Sequence, residues 1–181
     1  MSRTDSGKFD FSSSRLRRWI PSPVTLILLA LVLWLWFRPP AHVSPMHRSL
    51  PPLSVQLLDG HTLPLSSLHG QVVLVNFWAS WCPYCLKEMP EIRSFYRDWH
   101  GRGFTVLTLT LDDDPGKAAR YLAEHGKPFI AGRSDAGIEQ VFGGIRQIPT
   151  SFIIDRQGVL RERIDGQVYY GRLKQLVTPL L

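Results

Sequence analysis

The pattern of apolar and polar positions changes character along the chain. From Trp19 to Phe37 (WIPSPVTLILLALVLWLWF) no charged side chain interrupts a nearly continuous apolar run. At about 1.5 Å per residue this stretch approaches the ~30 Å hydrocarbon core of a bilayer, so residues 19–37 are expected to form a transmembrane helix. Pro21 and Pro23 fall at its entry, where proline is tolerated. Trp19 at one end and Trp34 and Trp36 at the other suit the two membrane interfaces. Residues 38–52 then carry Pro39, Pro40, Pro45, Pro51 and Pro52 with no periodic apolar pattern, which predicts an extended spacer and a folded domain beginning near Leu53.

Beyond Leu53, strand and helix patterns alternate. Val55–Leu58 and His61–Leu65 flank Asp59-Gly60, a hairpin signature. Gln71–Trp78 (QVVLVNFW) and Phe104–Leu111 (FTVLTLTL) read as strands buried on both faces. Between them Leu86, Met89, Ile92, Phe95, Tyr96 and Trp99 recur at helical spacing, predicting a helix from about Cys82 to His100 that contains Pro90 and ends at Gly101 and Gly103. Pro115–His125 is a second helix, opened by proline and closed by Gly126. A short extended piece at 128–131 and a small helix at 135–143 follow. Thr150–Ile154 and Val159–Ile164 form a hairpin, and Tyr169–Leu181 a closing helix that Pro179 cuts short. This order implies an α/β domain with a mixed central sheet and helices on both faces.

Charge changes little in this picture. The net charge is +6. Residues 1–18 hold Arg3, Lys8, Arg15, Arg17 and Arg18 against Asp5 and Asp10, which supplies +3, and the rest is spread over the remaining chain without a basic stripe. Nucleic-acid binding is therefore not expected. Arg15, Arg17 and Arg18 beside the apolar run would stay in the cytoplasm and send the domain outward. A cleaved signal peptide shares the basic-then-apolar order, but no small-residue cleavage site follows the run, so an uncleaved anchor is the favoured reading.

Two cysteines are too few for a disulfide-knit scaffold. They sit in Trp81-Cys82-Pro83-Tyr84-Cys85, between a buried strand and a helix. A helix start offers unpaired N–H groups and the positive end of the dipole, which favour a thiolate at Cys82 and expose it as a nucleophile. Cys85, one turn later, is placed to attack a mixed disulfide on Cys82 and release the partner. A structural zinc site lacks its other ligands; an inert disulfide in an exported protein is the serious alternative. Asp112-Asp113-Asp114 before Pro115 reads as a strand-to-helix loop whose charge suits the helix start, in preference to a metal site. No metal and no cofactor other than the cysteine pair is expected.

The stretch Val73–Pro90 (VLVNFWASWCPYCLKEMP), with Ile148-Pro149-Thr150, resembles the thioredoxin superfamily. Leu58–Gly70 (LDGHTLPLSSLHG) together with the apolar segment resembles its membrane-tethered TlpA/ResA/DsbE branch. The resemblance spans about residues 53–181. It implies a thioredoxin fold, an active site outside the cytoplasm, and thiol–disulfide exchange through a redox-active Cys82–Cys85 disulfide. It further implies that Pro149 is cis, that the backbone at Ile148 pairs with a substrate peptide, and that Trp81 packs beside the active site while Trp78 belongs to the core.

Two departures matter. Asn76 stands where typical thioredoxins carry a buried Asp, whereas Glu88 matches the acid–base Glu of the ResA-like branch; Cys85 and Glu88 are also i, i+3 on one helix and share a face. Pro83-Tyr84 differs from the dipeptides common in that branch and is similar to glutaredoxin's. The resemblance implies exported proteins with cysteine thiols or disulfides as clients, apocytochromes among them, and a transmembrane thiol donor of the DsbD/CcdA type as electron source, at a bacterial inner membrane with the domain in the periplasm. A thiol oxidant or stress-related thiol protein, and a binding module with a static disulfide, are the alternatives.

Overall fold

The computed structural model describes residues 22–36, 42–126 and 128–181. It divides into two units after Pro39, taken separately. The first contains helix α1 (Pro23–Trp36), with Ser22 capping it by accepting from Thr25 N. Its 14 residues measure about 21 Å, and its apolar side chains from Val24 to Trp34 are exposed. Among the described residues no helix is long and apolar enough to cross a membrane. The remainder of the 19–37 run, and the flanking arginines, lie outside the described residues.

In the second unit, strands β1 (His42–Ser49), β4 (Val72–Trp78), β5 (Phe104–Thr110), β6 (Ile130–Arg133), β7 (Thr150–Ile154) and β8 (Val159–Asp165) form one sheet in the order β1-β8-β7-β4-β5-β6. β4 runs parallel to β5 and β5 to β6, while β7, β8 and β1 are added antiparallel, giving the mixed sheet expected from the sequence. Helix α2 (Pro83–Trp99), α3 (Pro115–Glu124) and α5 (Tyr170–Val177) pack on one face, and the short α4 (Ala136–Val141) on the other. Alternation along β4 explains the two layers. Val72, Leu74 and Trp78 join Met89, Ile92 and Phe95 of α2 and Leu173 and Val177 of α5, whereas Val73, Val75 and Phe77 join Ile138 and Phe142. Asn76 shares the α2 side of β4, and this parity brings it to the site described below.

The hairpin β2 (Ser54–Gln56) and β3 (Thr62–Pro64) is shorter than its apolar pattern suggests, because the chain turns toward β6 at its end: Leu57 N still donates to His61 O at 2.7 Å, but Leu57 also bridges to Gly132 and Leu58 N donates to Ala131 O at 2.9 Å. The contact requires glycine at 132: a Cβ there would fall 2.4 Å from Val55 Cγ1.

The largest correction concerns the proline-rich stretch. Residues 42–49 are no free spacer; they pair antiparallel with β8 from His42↔Asp165 to Ser49↔Val159. Pro45 disguises the strand. It is tolerated because β1 is an edge strand, and the register slips just after it, between Pro45 and Arg48. Val43 and Met46 pack against the two core layers, and Arg48 Nη2 donates to Val141 O. The folded unit therefore begins before Leu53. A chain truncated to begin at Leu50 is expected to melt at a clearly lower temperature than one beginning at Pro40, by about 1–3 kcal/mol of stability for the lost strand contacts; equal midpoints in thermal denaturation would show that β1 adds nothing.

Candidate active site

The end of β4 delivers the cysteines. Ser80 is tied down by Asp112, whose Oδ2 accepts from Ser80 N at 2.9 Å and whose Oδ1 accepts from Ser80 Oγ at 2.7 Å, while Thr110 Oγ1 donates to Oδ2 at 2.6 Å. Asp112 is thus a loop anchor beside the motif, and Asp114 caps α3 by accepting from Gly116 N at 2.9 Å. Among the described residues no group of His, Cys, Asp and Glu side chains could hold a metal ion.

Cys82 is the N-cap of α2, with extended backbone, and Pro83 takes the first helical position. Cys85 N donates to Cys82 Sγ at 3.2 Å, so the helix start supplies the polarisation that the sequence position predicts. Cys82 and Cys85 form a disulfide with their Cα atoms 5.3 Å apart. The expected open exposure of the first cysteine is reduced to an edge: Cys82 is 4% exposed and Cys85 0%. The flanking aromatic rings carry the exposure instead, Trp81 at 66% and Tyr84 at 57%. Trp78, by contrast, is fully buried and packs on Tyr121.

The Ile148–Pro149 bond is cis, and Cys82 Sγ lies 3.9 Å from Ile148 O. This loop is held from two sides. Pro149 O accepts from Gly166 N at 2.9 Å, and Thr150 Oγ1 donates to Gln147 O at 2.9 Å.

Behind the disulfide, Glu88 is completely buried on α2. Asn76 Nδ2 donates to its Oε1 at 2.8 Å and Val168 N to its Oε2 at 2.8 Å. Burial, the dominant influence, raises its pKa to about 8 against the opposing pull of these two donors. The carboxyl group therefore titrates close to the range of a cysteine thiol. Asn76 Nδ2 also donates to Ser151 Oγ at 2.9 Å, across the β4–β7 register pair Asn76↔Ser151. The substitution of Asn for Asp at position 76 thus has a structural meaning: the amide donates to the carboxyl group and does not replace it.

Sequence reasoning missed the β8–α5 turn. Gln167 Nε2 donates to Tyr84 O at 2.9 Å inside the cysteine motif, and Tyr169 Oη donates to Gln167 Oε1 at 3.0 Å. With Val168 N on Glu88, one turn grips both the dithiol loop and its buried acid. No motif marks Gln167 or Val168; only the antiparallel return of β8 brings them here.

The raised pKa of Glu88 has a thermodynamic consequence. Between about pH 4.5 and 8 the folded protein holds a proton that the unfolded chain has released, so this contribution to stability is complete below that window and is lost as pH rises through it. For the oxidised protein the loss is on the order of a few kcal/mol. Glu88→Gln is expected to flatten the decline of the thermal midpoint between about pH 5 and 9; an unchanged pH profile would mean that Glu88 titrates normally.

Comparison with known proteins agrees with this geometry. The Redoxin family model matches residues 47–176. The thiol-disulfide oxidoreductase ResA of Bacillus thuringiensis (strain Al Hakam) is 31% identical over 122 residues, covering 66% of this chain and 69% of its own. The thiol:disulfide interchange protein DsbE of Allochromatium vinosum is 32% identical over 179 residues, covering 92% and 96%. A crystal structure of a thioredoxin-family thiol:disulfide interchange protein from Chlorobium tepidum superimposes with a TM-score of 0.68 at 28% identity, covering 76% of this chain and 97% of that one. A helix-capping disulfide beside a cis-proline loop, on a sheet shared with these proteins, is explained by common descent: the chain belongs to the Redoxin family and is a thiol–disulfide oxidoreductase of the TlpA/ResA/DsbE-like thioredoxin type.

Proposed function

We propose that the protein is a membrane-tethered reductant of disulfides in exported proteins, its domain lying on the periplasmic side of a bacterial inner membrane. The observation that carries the reading is the asymmetry of the pair: Cys82 reaches the surface at an edge next to Ile148, and Cys85 is sealed above a buried carboxyl group. In the reduced protein the Cys82 thiolate attacks one sulfur of a client disulfide, forming a mixed disulfide and expelling the other client sulfur as a thiolate. The ionised form of Glu88, the minor form below about pH 8, takes the proton of Cys85, which then attacks Cys82 Sγ, closing the intramolecular disulfide and releasing the second client sulfur as a thiolate. Two electrons have passed to the client. A transmembrane thiol donor of the DsbD/CcdA type returns them.

Trp81 and the Ile148–Pro149 backbone dock the client, and Pro83-Tyr84 set how readily the ring closes. The tether rests on the uncharged run at 19–37 and on Arg15, Arg17 and Arg18 before it. Apocytochromes are one client class that the resemblance implies, although the segment before Pro149 lacks the Ala-Pro-Glu-Thr of the cytochrome c maturation members, and the names of the DsbE and ResA relatives are those of thiol–disulfide exchange proteins.

The deciding measurement is the reduction potential of the Cys82/Cys85 pair in the full chain in detergent. A value near or below roughly −270 mV marks a reductant; one toward roughly −120 mV overturns the direction and marks an oxidant. A disulfide that resists mild thiol, with function intact in Cys82→Ser, would instead identify a static bond in a binding module. Glu88→Gln is expected to slow release of the mixed disulfide by roughly 100-fold while leaving the first attack by Cys82 nearly unchanged.

A further inference from the structure

Beside the Ile148–Pro149 loop the sheet edge opens into a polar pocket of about 500 Å³, lined by His42 and Ser44 of β1, Arg146 and Gln147 of the loop, and Arg163 and Asp165 of β8. We infer that this pocket selects clients carrying acidic side chains two or three residues from the cysteine that joins Cys82. The inference deepens the proposed function and rests on its docking of clients along Ile148.

The charge balance supports it. Two guanidinium groups face one carboxylate, and that carboxylate is already engaged. Arg163 Nε donates to Asp165 Oδ1 at 3.1 Å and to Oδ2 at 3.0 Å, and Thr150 Oγ1 donates to Oδ1 at 3.1 Å. Arg163 Nη1 donates to Gly144 O at 3.0 Å, which fixes the guanidinium against the loop. Arg146 is exposed and makes no ion pair or hydrogen bond among the described residues. The pocket therefore holds uncompensated positive charge on a pre-organised frame, a site for an anion.

Its position identifies the anion. Arg146 lies two residues before Ile148, whose carbonyl oxygen is 3.9 Å from Cys82 Sγ. An extended peptide advances ~3.3 Å per residue, so a chain lying along Ile148 presents the side chain two or three residues from its cysteine to the pocket. A carboxylate there meets Arg146 and the free edge of Arg163, whereas a Lys or Arg meets like charge. Discrimination thus includes a repulsive part as well as an attractive one. β1 helps to form this wall, so the strand that the proline-rich sequence conceals also contributes to client choice.

The test uses the full chain in detergent, reduced beforehand, and three synthetic peptides with one disulfide and identical sequence except for Asp, Ser or Lys at the second and third positions on both sides of the reacting cysteine. At low salt the Asp peptide is expected to be reduced about five-fold faster than the Lys peptide, with the ratio shrinking as salt is raised. Arg146→Glu is expected to remove or invert that ratio, and Arg146→Lys to retain it. Equal wild-type rates for the three peptides overturn the assignment, as does a ratio that survives in Arg146→Glu. If the wild type reduces none of them, the reductant reading itself falls, and the client-selecting pocket with it.

Discussion

A carboxyl group with no exposure to water must find its hydrogen-bond partners inside the protein, and Glu88 finds them on two separate elements. Asn76 on β4 and Val168 in the β8–α5 turn donate to its two oxygens, and Asn76 is held in turn by Ser151 on β7. Removing any member would leave a buried polar group unpaired, at about 1–3 kcal/mol each, so the network fixes how α2 sits on the sheet. Because Cys82 and Cys85 occupy the first turn of that helix, the same few bonds that satisfy Glu88 also set where the disulfide stands.

The side proposed to face clients is built by a different logic. There the chain is held mainly through its carbonyl groups: Tyr84 O by Gln167, Gln147 O by Thr150, Pro149 O by Gly166 and Gly144 O by Arg163. Exposed Trp81 and Tyr84 then stand on a surface whose backbone cannot shift to meet them. A rigid frame lowers the ordering cost of binding an extended peptide, which suits the docking of clients proposed above.

Most of the frame was legible in the sequence because its signals are local. Gln71–Trp78 and Phe104–Leu111 are recognisable as buried strands from consecutive apolar and β-branched residues, and Pro83 after Cys82 marks a helix start without reference to anything distant. Glu88 was singled out by the family resemblance, with its helical spacing from Cys85 in support, but its burial was not legible, since a carboxylate in a helix is solvated unless a partner arrives from elsewhere. That partner, Val168, is 80 positions away. The β1 strand failed for the opposite reason. Its local signal is misleading, because Pro45 argues against a sheet and only the antiparallel edge of β8 makes the assignment physical. Arg163 and Asp165 look like ordinary strand-surface charges until the loop before Pro149 folds over them.

The burial pattern also constrains the order of chemical events. Cys85 has no exposed surface in the disulfide form, so in the reaction proposed above the proton of its thiol goes to a protein group. Three carboxyl groups are buried among the described residues: Glu88, Asp112 and Asp155. Asp155 is paired with Arg161 at 2.6 Å, and Asp112 is occupied by Ser80 and Thr110. Glu88 alone combines a place one helical turn from Cys85 with a pKa raised to about 8, so near that pH its ionised form can exchange a proton with a thiol without a large free-energy difference. Cys82 needs no such partner, since its sulfur borders the surface and accepts from Cys85 N at the start of the helix. The two sulfurs of one motif are therefore prepared in different ways, the first by the helix start and the second by a buried acid. That difference fits the order of steps in the proposed function, attack on a client by the first sulfur and resolution by the second.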